Sequence, residues 1–321
     1  MPARIVVTRR IPDPALALLD PAGDVWVSPH DRPLEAAELH AAVAGAGAVV
    51  TLLHDRVDEA FLDAAGPSLR VVANVAVGYD NVDVAACAGR GVVCTNTPGV
   101  LVDATADIAM ALILASTRRM GEAERMIRAG QTWSWSMFFM LGTGLQEKTL
   151  GIVGLGQIGT ATARRARAFG MRIAYAGRRP ADAALEAELE AAYLELDELL
   201  AAADVVSIHC PLSAATRHLI DARRLRLMRP TAHLVNTARG PVIDEAALAA
   251  ALREGIIAGA GLDVYEREPA IEPALLDLEN VTLIPHLGSA TIETRTAMGV
   301  LAAQNVVAVL AGEPPLTPIG G

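Results

Sequence analysis

The stretch KTLGIVGLGQIG, residues 148–159, decides the fold. Within it Gly154, Gly156 and Gly159 follow the G-x-G-x-x-G spacing. Alone that spacing is weak, because glycine triplets arise by chance. Its surroundings make it specific. The apolar residues 150–153 before it read as a strand, and the alanine-rich residues 160–169 after it read as a helix. Residues 171–176 then supply a second strand, completing a strand–helix–strand unit. In such a unit the first glycine permits a tight turn, the second admits a pyrophosphate to the backbone, and the third lets helix and strand pack closely. The helix N-terminus adds unpaired N–H groups and the positive end of its dipole. The segment therefore predicts a dinucleotide-binding turn, with Leu155, Gln157 and Ile158 contacting the cofactor beside the glycines.

The end of the second strand selects the cofactor. NAD sites usually place Asp or Glu about 20 residues on, where it bonds the ribose 2′-hydroxyl. Here the run is Tyr175-Ala176-Gly177-Arg178-Arg179-Pro180, with no acid. A carboxylate would repel a 2′-phosphate, whereas a guanidinium binds one bidentately. Gly177, Arg178 and Arg179 therefore predict NADP(H) as the preferred cofactor, with NAD(H) as the alternative.

Working outward, short apolar runs alternate with helix-like stretches on both sides. Upstream, strand-like runs at 4–8, 25–27, 48–53, 69–77 and 92–95 are separated by helical patterns. Such alternation implies a parallel sheet with helices on its faces. A long helix-compatible stretch, 102–128, follows. Beyond the glycine loop, strands are expected at 204–210, 232–237, 258–264 and 281–285, and helices at 244–254 and 291–310. Asp244 is a natural N-cap and Gly255 a natural stop. The expectation is two α/β domains, each a Rossmann-like or flavodoxin-like parallel sheet, with a cleft between them.

Composition agrees. A chain of 321 residues fits two domains at roughly 150 each. It carries 27 Lys and Arg against 37 Asp and Glu, a net charge of −10. That balance argues against a nucleic-acid partner, which calls for a basic face. Hydrophobic residues reach 52% and aromatics only 3%, so the core must be Ala, Val, Leu and Ile. The longest apolar runs, 41–53 and 108–115, fall short of the roughly 18 residues of a membrane span. No signal-peptide pattern opens the chain, and Cys87, Cys94 and Cys210 form neither a disulfide frame nor a metal motif. A soluble cytoplasmic protein without a metal is expected.

Three segments look chemically loaded, each at the C-terminal end of an expected strand, where ligands bind in open α/β sheets. In LVNTARGPVIDE, Arg239 is placed to bind a carboxylate and polarise a neighbouring carbonyl. In GLDVYEREP, Glu268 precedes Pro269. In VTLIPHLGSAT, Pro285 and Gly288 frame His286. A carboxylate beside an imidazole favours the imidazolium, the form that protonates a developing alkoxide. Any one of these residues alone would read as surface or satisfied core. Their joint appearance after a dinucleotide loop makes Arg239, Glu268 and His286 the predicted catalytic set.

These runs together, GIVGLGQIG, VNTARGPVIDEAAL, AGAGLDVYEREP and LIPHLGSAT, resemble the D-isomer-specific 2-hydroxyacid dehydrogenases, most closely the glyoxylate/hydroxypyruvate reductase branch. The resemblance spans nearly the whole chain. It implies that Arg239 binds substrate, that His286 donates the proton and that Glu268 tunes it. It implies that Asp263 contacts the nicotinamide side of the cofactor, and that Thr105, Cys210, Pro211, Thr216, Thr237, Ala238, His286 and Gly288 complete the cofactor site. It further implies that the backbone at Val77 and Gly78, within Asn74 to Asp83, cradles the substrate carboxylate. The family's fold splits one domain between the chain ends: residues 1–98 with 288–321 bind substrate, and 99–287 bind the dinucleotide.

The implied activity is NADPH-dependent reduction of a small 2-oxo acid, glyoxylate or hydroxypyruvate, to the D-2-hydroxy acid. Rival readings are an NAD-dependent D-2-hydroxyacid or phosphoglycerate dehydrogenase, and a non-catalytic NAD(P)-sensing binding protein. A methyltransferase sharing the glycine loop would have no use for the Arg, Glu and His set. Relatives are dimers built on the cofactor domain, so a homodimer is expected, with the helix near 102–115 and the aromatics at 133–139 as interface candidates. That short run, Trp133-Ser134-Trp135-Ser136-Met137-Phe138-Phe139, holds two of the three Trp and two of the four Phe. Trp135 or Phe139 could alternatively line the partner's substrate pocket.

Overall fold

The structure, a computed structural model, describes residues 2–320. The chain divides into two compact units, Met1–Leu101 with Ala290–Gly321, and Val102–Ser289.

The first unit is built on β1 (Ala3–Val7), β2 (Gly23–Val27), β3 (Ala48–Thr51), β4 (Val71–Asn74) and β5 (Val93–Thr95). They form one parallel sheet in the order β2-β1-β3-β4-β5. That is the flavodoxin-like doubly wound order. β3 and β4 are buried along their whole length, which is why they read as unbroken apolar runs. The C-terminal helix Ile292–Ala311 returns to this sheet and packs on β3, β4 and β5 and on helix Asp13–Leu19. It is long and apolar enough to cross a bilayer, but Met298, Ala302, Ala303, Val306 and Val309 are buried in the protein. Buried Asn305 then accepts the N–H groups of Leu316 and Thr317, and the Ile319 N–H reaches the Cys94 carbonyl at 2.8 Å. The tail is thereby tied to β5.

The second unit holds β6 (Thr149–Val153), β7 (Arg172–Ala176), β8 (Ala191–Tyr193), β9 (Val205–Ile208), β10 (His233–Asn236), β11 (Gly259–Leu262) and β12 (Val281–Leu283). The parallel order is β12-β11-β10-β9-β6-β7-β8. Strand order reverses between β6 and β9, and in open α/β sheets the ligand crevice lies at the carboxyl ends of such a pair. Helix Val102–Thr117 covers β10 and β11. Gly261 leaves room for it: a Cβ there would stand 3.0 Å from that of Leu112. Thr105, Ala106, Ala109, Met110, Leu112 and Ile113 are buried, so the apolar face of this helix is turned into its own unit.

Three local expectations change. The stretch 102–128 is two helices, Val102–Thr117 and Met120–Arg128, because Arg119 adopts the left-handed conformation at φ +53°. The short strand β8 lies in an alanine-rich stretch whose pattern does not separate strand from helix. Strands are also shorter than their apolar runs, since flanking residues such as Val75 and Ala76 enter turns while still buried. Cys87, Cys94 and Cys210 are free thiols, the first two buried.

Candidate active site

The glycine loop forms as its spacing requires. Gly154 leaves β6 at φ +96°, a conformation that suits glycine. A Cβ on it would meet the Cys210 nitrogen at 2.8 Å, so the turn lies directly against the chain leaving β9. A Cβ on Gly159 would meet the Gly154 carbonyl oxygen at 2.4 Å, whereas one on Gly156 would meet nothing within 4 Å. The outer glycines are needed for packing, and the middle one faces open space where a pyrophosphate can approach. Gly156 caps helix Gln157–Ala168, whose first turn carries no acidic side chain.

Around this turn the predicted cofactor residues separate into two groups. Cys210, Pro211 and Thr216 lie on one closed loop: the Thr216 hydroxyl donates to the Pro211 carbonyl at 2.7 Å. Burial pushes the Cys210 thiol up to about 11, so it stays protonated at neutral pH. Preceding it, His209 bonds Ser207 at 2.8 Å and is held down to about 4 by burial. On the other side of the turn, Gly177, Arg178 and Arg179 are exposed beyond β7. Among the described residues the Arg178 and Arg179 side chains make no hydrogen bond or ion pair. The Gly177 carbonyl accepts from the Tyr193 hydroxyl at 3.2 Å, and that hydroxyl also meets Glu195 at 3.3 Å.

The loop after β10 is shaped by a residue that motif reading left without a role. Buried Asn236 accepts the Ala238 N–H at 3.0 Å and donates to the Arg239 carbonyl at 2.9 Å. This brackets Thr237, Ala238 and Arg239. The Thr237 hydroxyl is buried and has no hydrogen-bond partner among the described residues, which leaves it able to accept from or donate to a ligand. The half-buried Arg239 donates from Nη1 to the Ala238 carbonyl at 2.9 Å. Gly240 is then pressed against the next loop: a Cβ there would lie 1.8 Å from the Tyr265 carbonyl carbon.

The loops after β11 and β12 carry the acid–base pair. Glu268 Oε2 lies 2.8 Å from His286 Nδ1, and Glu268 Oε1 accepts the Tyr265 N–H at 2.9 Å. The two side chains are 18% and 28% exposed, enough to desolvate the pair while leaving access. With Glu268 ionised, the proton lies on Nδ1, and His286 Nε2 makes no hydrogen bond among the described residues. His286 is left-handed at φ +52°, an uncommon conformation for a non-glycine residue. Fully buried Asp263 holds it there, accepting the N–H groups of Leu287 and of Gly288, the latter at 2.8 Å. Burial raises the Asp263 carboxyl above its usual range. Thr105 completes the frame, donating to the Gly288 carbonyl at 3.2 Å. The Tyr265 hydroxyl, unremarked in the motif, joins the two strands by donating to the Ile284 carbonyl at 2.9 Å.

In the first unit, the loop after β4 has its carbonyls fixed from behind. Asn96 donates to the Val77 carbonyl at 2.8 Å and Asn74 to that of Gly78 at 3.2 Å. The Val77 and Gly78 N–H groups donate to no acceptor among the described residues.

A dinucleotide turn and a histidine–carboxylate pair within one unit define the class: a dehydrogenase. Comparison with known proteins makes it specific. Residues 110–288 match the D-isomer specific 2-hydroxyacid dehydrogenase, NAD binding domain. The chain is 45% identical to a glyoxylate reductase of Thermococcus litoralis and 47% identical to one of Thermococcus kodakarensis, covering 98% and 99% of this chain and 96% of each relative. The NADPH-dependent glyoxylate/hydroxypyruvate reductase of Sinorhizobium meliloti, solved with NADP and malonate, superposes with a TM-score of 0.85 at 36% identity. That match covers 100% of this chain and 97% of the other. The chain belongs to the D-isomer specific 2-hydroxyacid dehydrogenase family.

Proposed function

We propose that this protein reduces a small 2-oxo acid, glyoxylate or hydroxypyruvate, to the D-2-hydroxy acid, with NADPH as preferred reductant. The observation that carries this reading is the His286 Nδ1 to Glu268 Oε2 pair at 2.8 Å, with Nε2 left over. Glu268 holds the ring in one orientation, with Nδ1 turned to its carboxylate and Nε2 turned away from it. His286 then delivers the Nε2 proton to the oxygen of the carbonyl being reduced. Arg239, at the neighbouring strand tip, binds the carboxylate and polarises the carbonyl through its guanidinium. The Val77 and Gly78 N–H groups are donors suited to a carboxylate.

The residues present fit a dinucleotide. Gly154 to Gly159 would take the pyrophosphate, and Thr237 would offer its partnerless hydroxyl, with Cys210, Pro211, Thr216, Ala238, Asp263 and Gly288 around it. A reduced nicotinamide bound there supplies the hydride. For the 2′-phosphate, Arg178 and Arg179 are two exposed guanidiniums that no carboxylate engages among the described residues, beside a Gly177 that carries no acid. The reductase of Sinorhizobium meliloti is itself described as NADPH-dependent. NAD(H) is the competing reading, and Glu195 is what favours it. This carboxylate is held by Tyr193 near the Gly177 carbonyl, where it would oppose a phosphate.

We further propose a cytoplasmic homodimer joined through the second unit. Helix Val102–Thr117 has its apolar face turned inward, so the support comes from the segment beyond it. There Trp135, Met137 and Phe138 are 75%, 70% and 86% exposed, and Trp133 stacks on Phe139 at 6.1 Å.

The test of the chemistry is His286→Ala. It is expected to abolish 2-oxo acid reduction while leaving the NADPH Kd within about twofold. Loss of both would show that His286 serves the cofactor site and not proton transfer.

A further inference from the structure

Glu245 is a carboxylate that nothing in the proposed chemistry uses, yet it is only 3% exposed. It is the first residue of helix Glu245–Arg253, whose N-cap function is already met by Asp244 accepting the Ala247 N–H. Glu245 is therefore not needed to cap its own helix. Its side chain turns instead to the loop after β11 and accepts the Glu266 N–H at 2.5 Å. That donor stands two residues before Glu268 in the same loop.

No cation offsets this buried charge among the described residues. The groups that face it are the carboxylates of Glu266 and Glu272 and the ring of Tyr265. Glu266 is engaged by His218 and Glu272 by Arg267. Burial and the two like charges raise the Glu245 carboxyl above its usual range. A buried charge costs several kcal/mol unless hydrogen bonds compensate it, and here the compensating donor is the Glu266 N–H of the loop after β11. Gly240, directly after Arg239, is seated on the Tyr265–Glu266 backbone, so the clamped loop also abuts the Arg239 loop.

We propose that Glu245 is a positioning residue: by holding the Glu266 N–H, two residues before Glu268, it sets Glu268 in hydrogen-bonding register with His286. This rests on the reductase reading for its effect on turnover, but not for its effect on structure. Glu245→Ala removes both acceptors, and Glu245→Gln keeps the volume with a single acceptor oxygen.

In the alanine variant, hydrogen exchange at 266–272 is expected to accelerate at least about tenfold. The low-field ring-proton resonance of the His286 Nδ1–H is expected to broaden or vanish. kcat is expected to fall about tenfold with the NADPH Kd within twofold, and the glutamine variant is expected to lie between it and wild type. If the alanine variant fails to fold, the glutamine variant carries the test. Exchange at 266–272 and a His286 ring resonance that both match wild type would overturn the proposal. A wild-type protein that reduces no 2-oxo acid would defeat the reductase reading instead, and exchange and resonance would still decide the role of Glu245.

Discussion

Glu268 and His286 meet at 2.8 Å across loops that leave the adjacent strands β11 and β12, and each is fixed by a different backbone contact. Glu268 is braced by the Tyr265 N–H, and the His286 turn by the Asp263 carboxylate. The pair is thus set by the sheet and does not depend on a flexible side-chain encounter. Glu268→Gln keeps the shape and removes the charge. It is expected to lower kcat about 100-fold with an unchanged NADPH Kd, measured by steady-state turnover and fluorescence titration.

Gly240 is the most confined position of the site. One of its Cα hydrogens faces the Tyr265 carbonyl carbon, where a Cβ in its place would stand at 1.8 Å. The contact is backbone against backbone and cannot be relieved by a rotamer change. Gly240→Ala is expected to destabilise the fold by about 3 kcal/mol and to abolish turnover. Urea unfolding and activity on the same preparation check this.

Arg178 and Arg179 separate the two cofactors. Charged hydrogen bonds of about 1.5–3 kcal/mol predict that Arg178→Ala with Arg179→Ala weakens NADPH at least about tenfold and leaves NADH within about twofold. Equal losses for both would assign the arginines a general role in the turn.

Acid stability follows from His233, which is buried against Ser116 at 2.7 Å and held down to about 4 by burial. Unfolded, it titrates near 6.5. Between those values the unfolded chain holds more protons than the folded one, so stability grows as pH rises from 4 to 6.5 and is lost on acidification through that window. From pH 7 to 4.5 the loss from this residue is about 2 kcal/mol. His233→Gln is expected to flatten that part of the urea-unfolding profile by a similar amount.

The exposed aromatics predict assembly. Replacing Trp135 and Phe138 with Ser removes two large side chains that the unit itself does not cover. Sedimentation is expected to show a wild-type dimer and a variant shifted toward monomer. A wild-type monomer at micromolar concentration would contradict the proposed homodimer.

Much of this architecture was readable because its signals are local. A glycine needed at φ +96° and a histidine framed by proline and glycine announce themselves in a few residues. Both sheets followed from buried strands that must be apolar on both faces. What escaped is non-local or conformational. The break at Arg119 depends on one residue entering the left-handed region, which arginine does not advertise. Asn236 sits inside the quoted motif, but its bracketing of the Arg239 loop appears only when both of its amide contacts are seen. Glu245 reads as an ordinary acidic first turn of a helix, and its reach to the loop after β11 needs the fold to be known.

In the proposed reaction NADPH reduces a 2-oxo acid and His286 supplies the proton. The most direct measurement is the absorbance loss of NADPH at 340 nm with a panel of 2-oxo acids, run in parallel with NADH. Turnover is expected with glyoxylate and hydroxypyruvate at higher kcat/KM than with larger 2-oxo acids, faster with NADPH than with NADH, and absent in His286→Ala. NADPH binding without oxidation across the whole panel would contradict it.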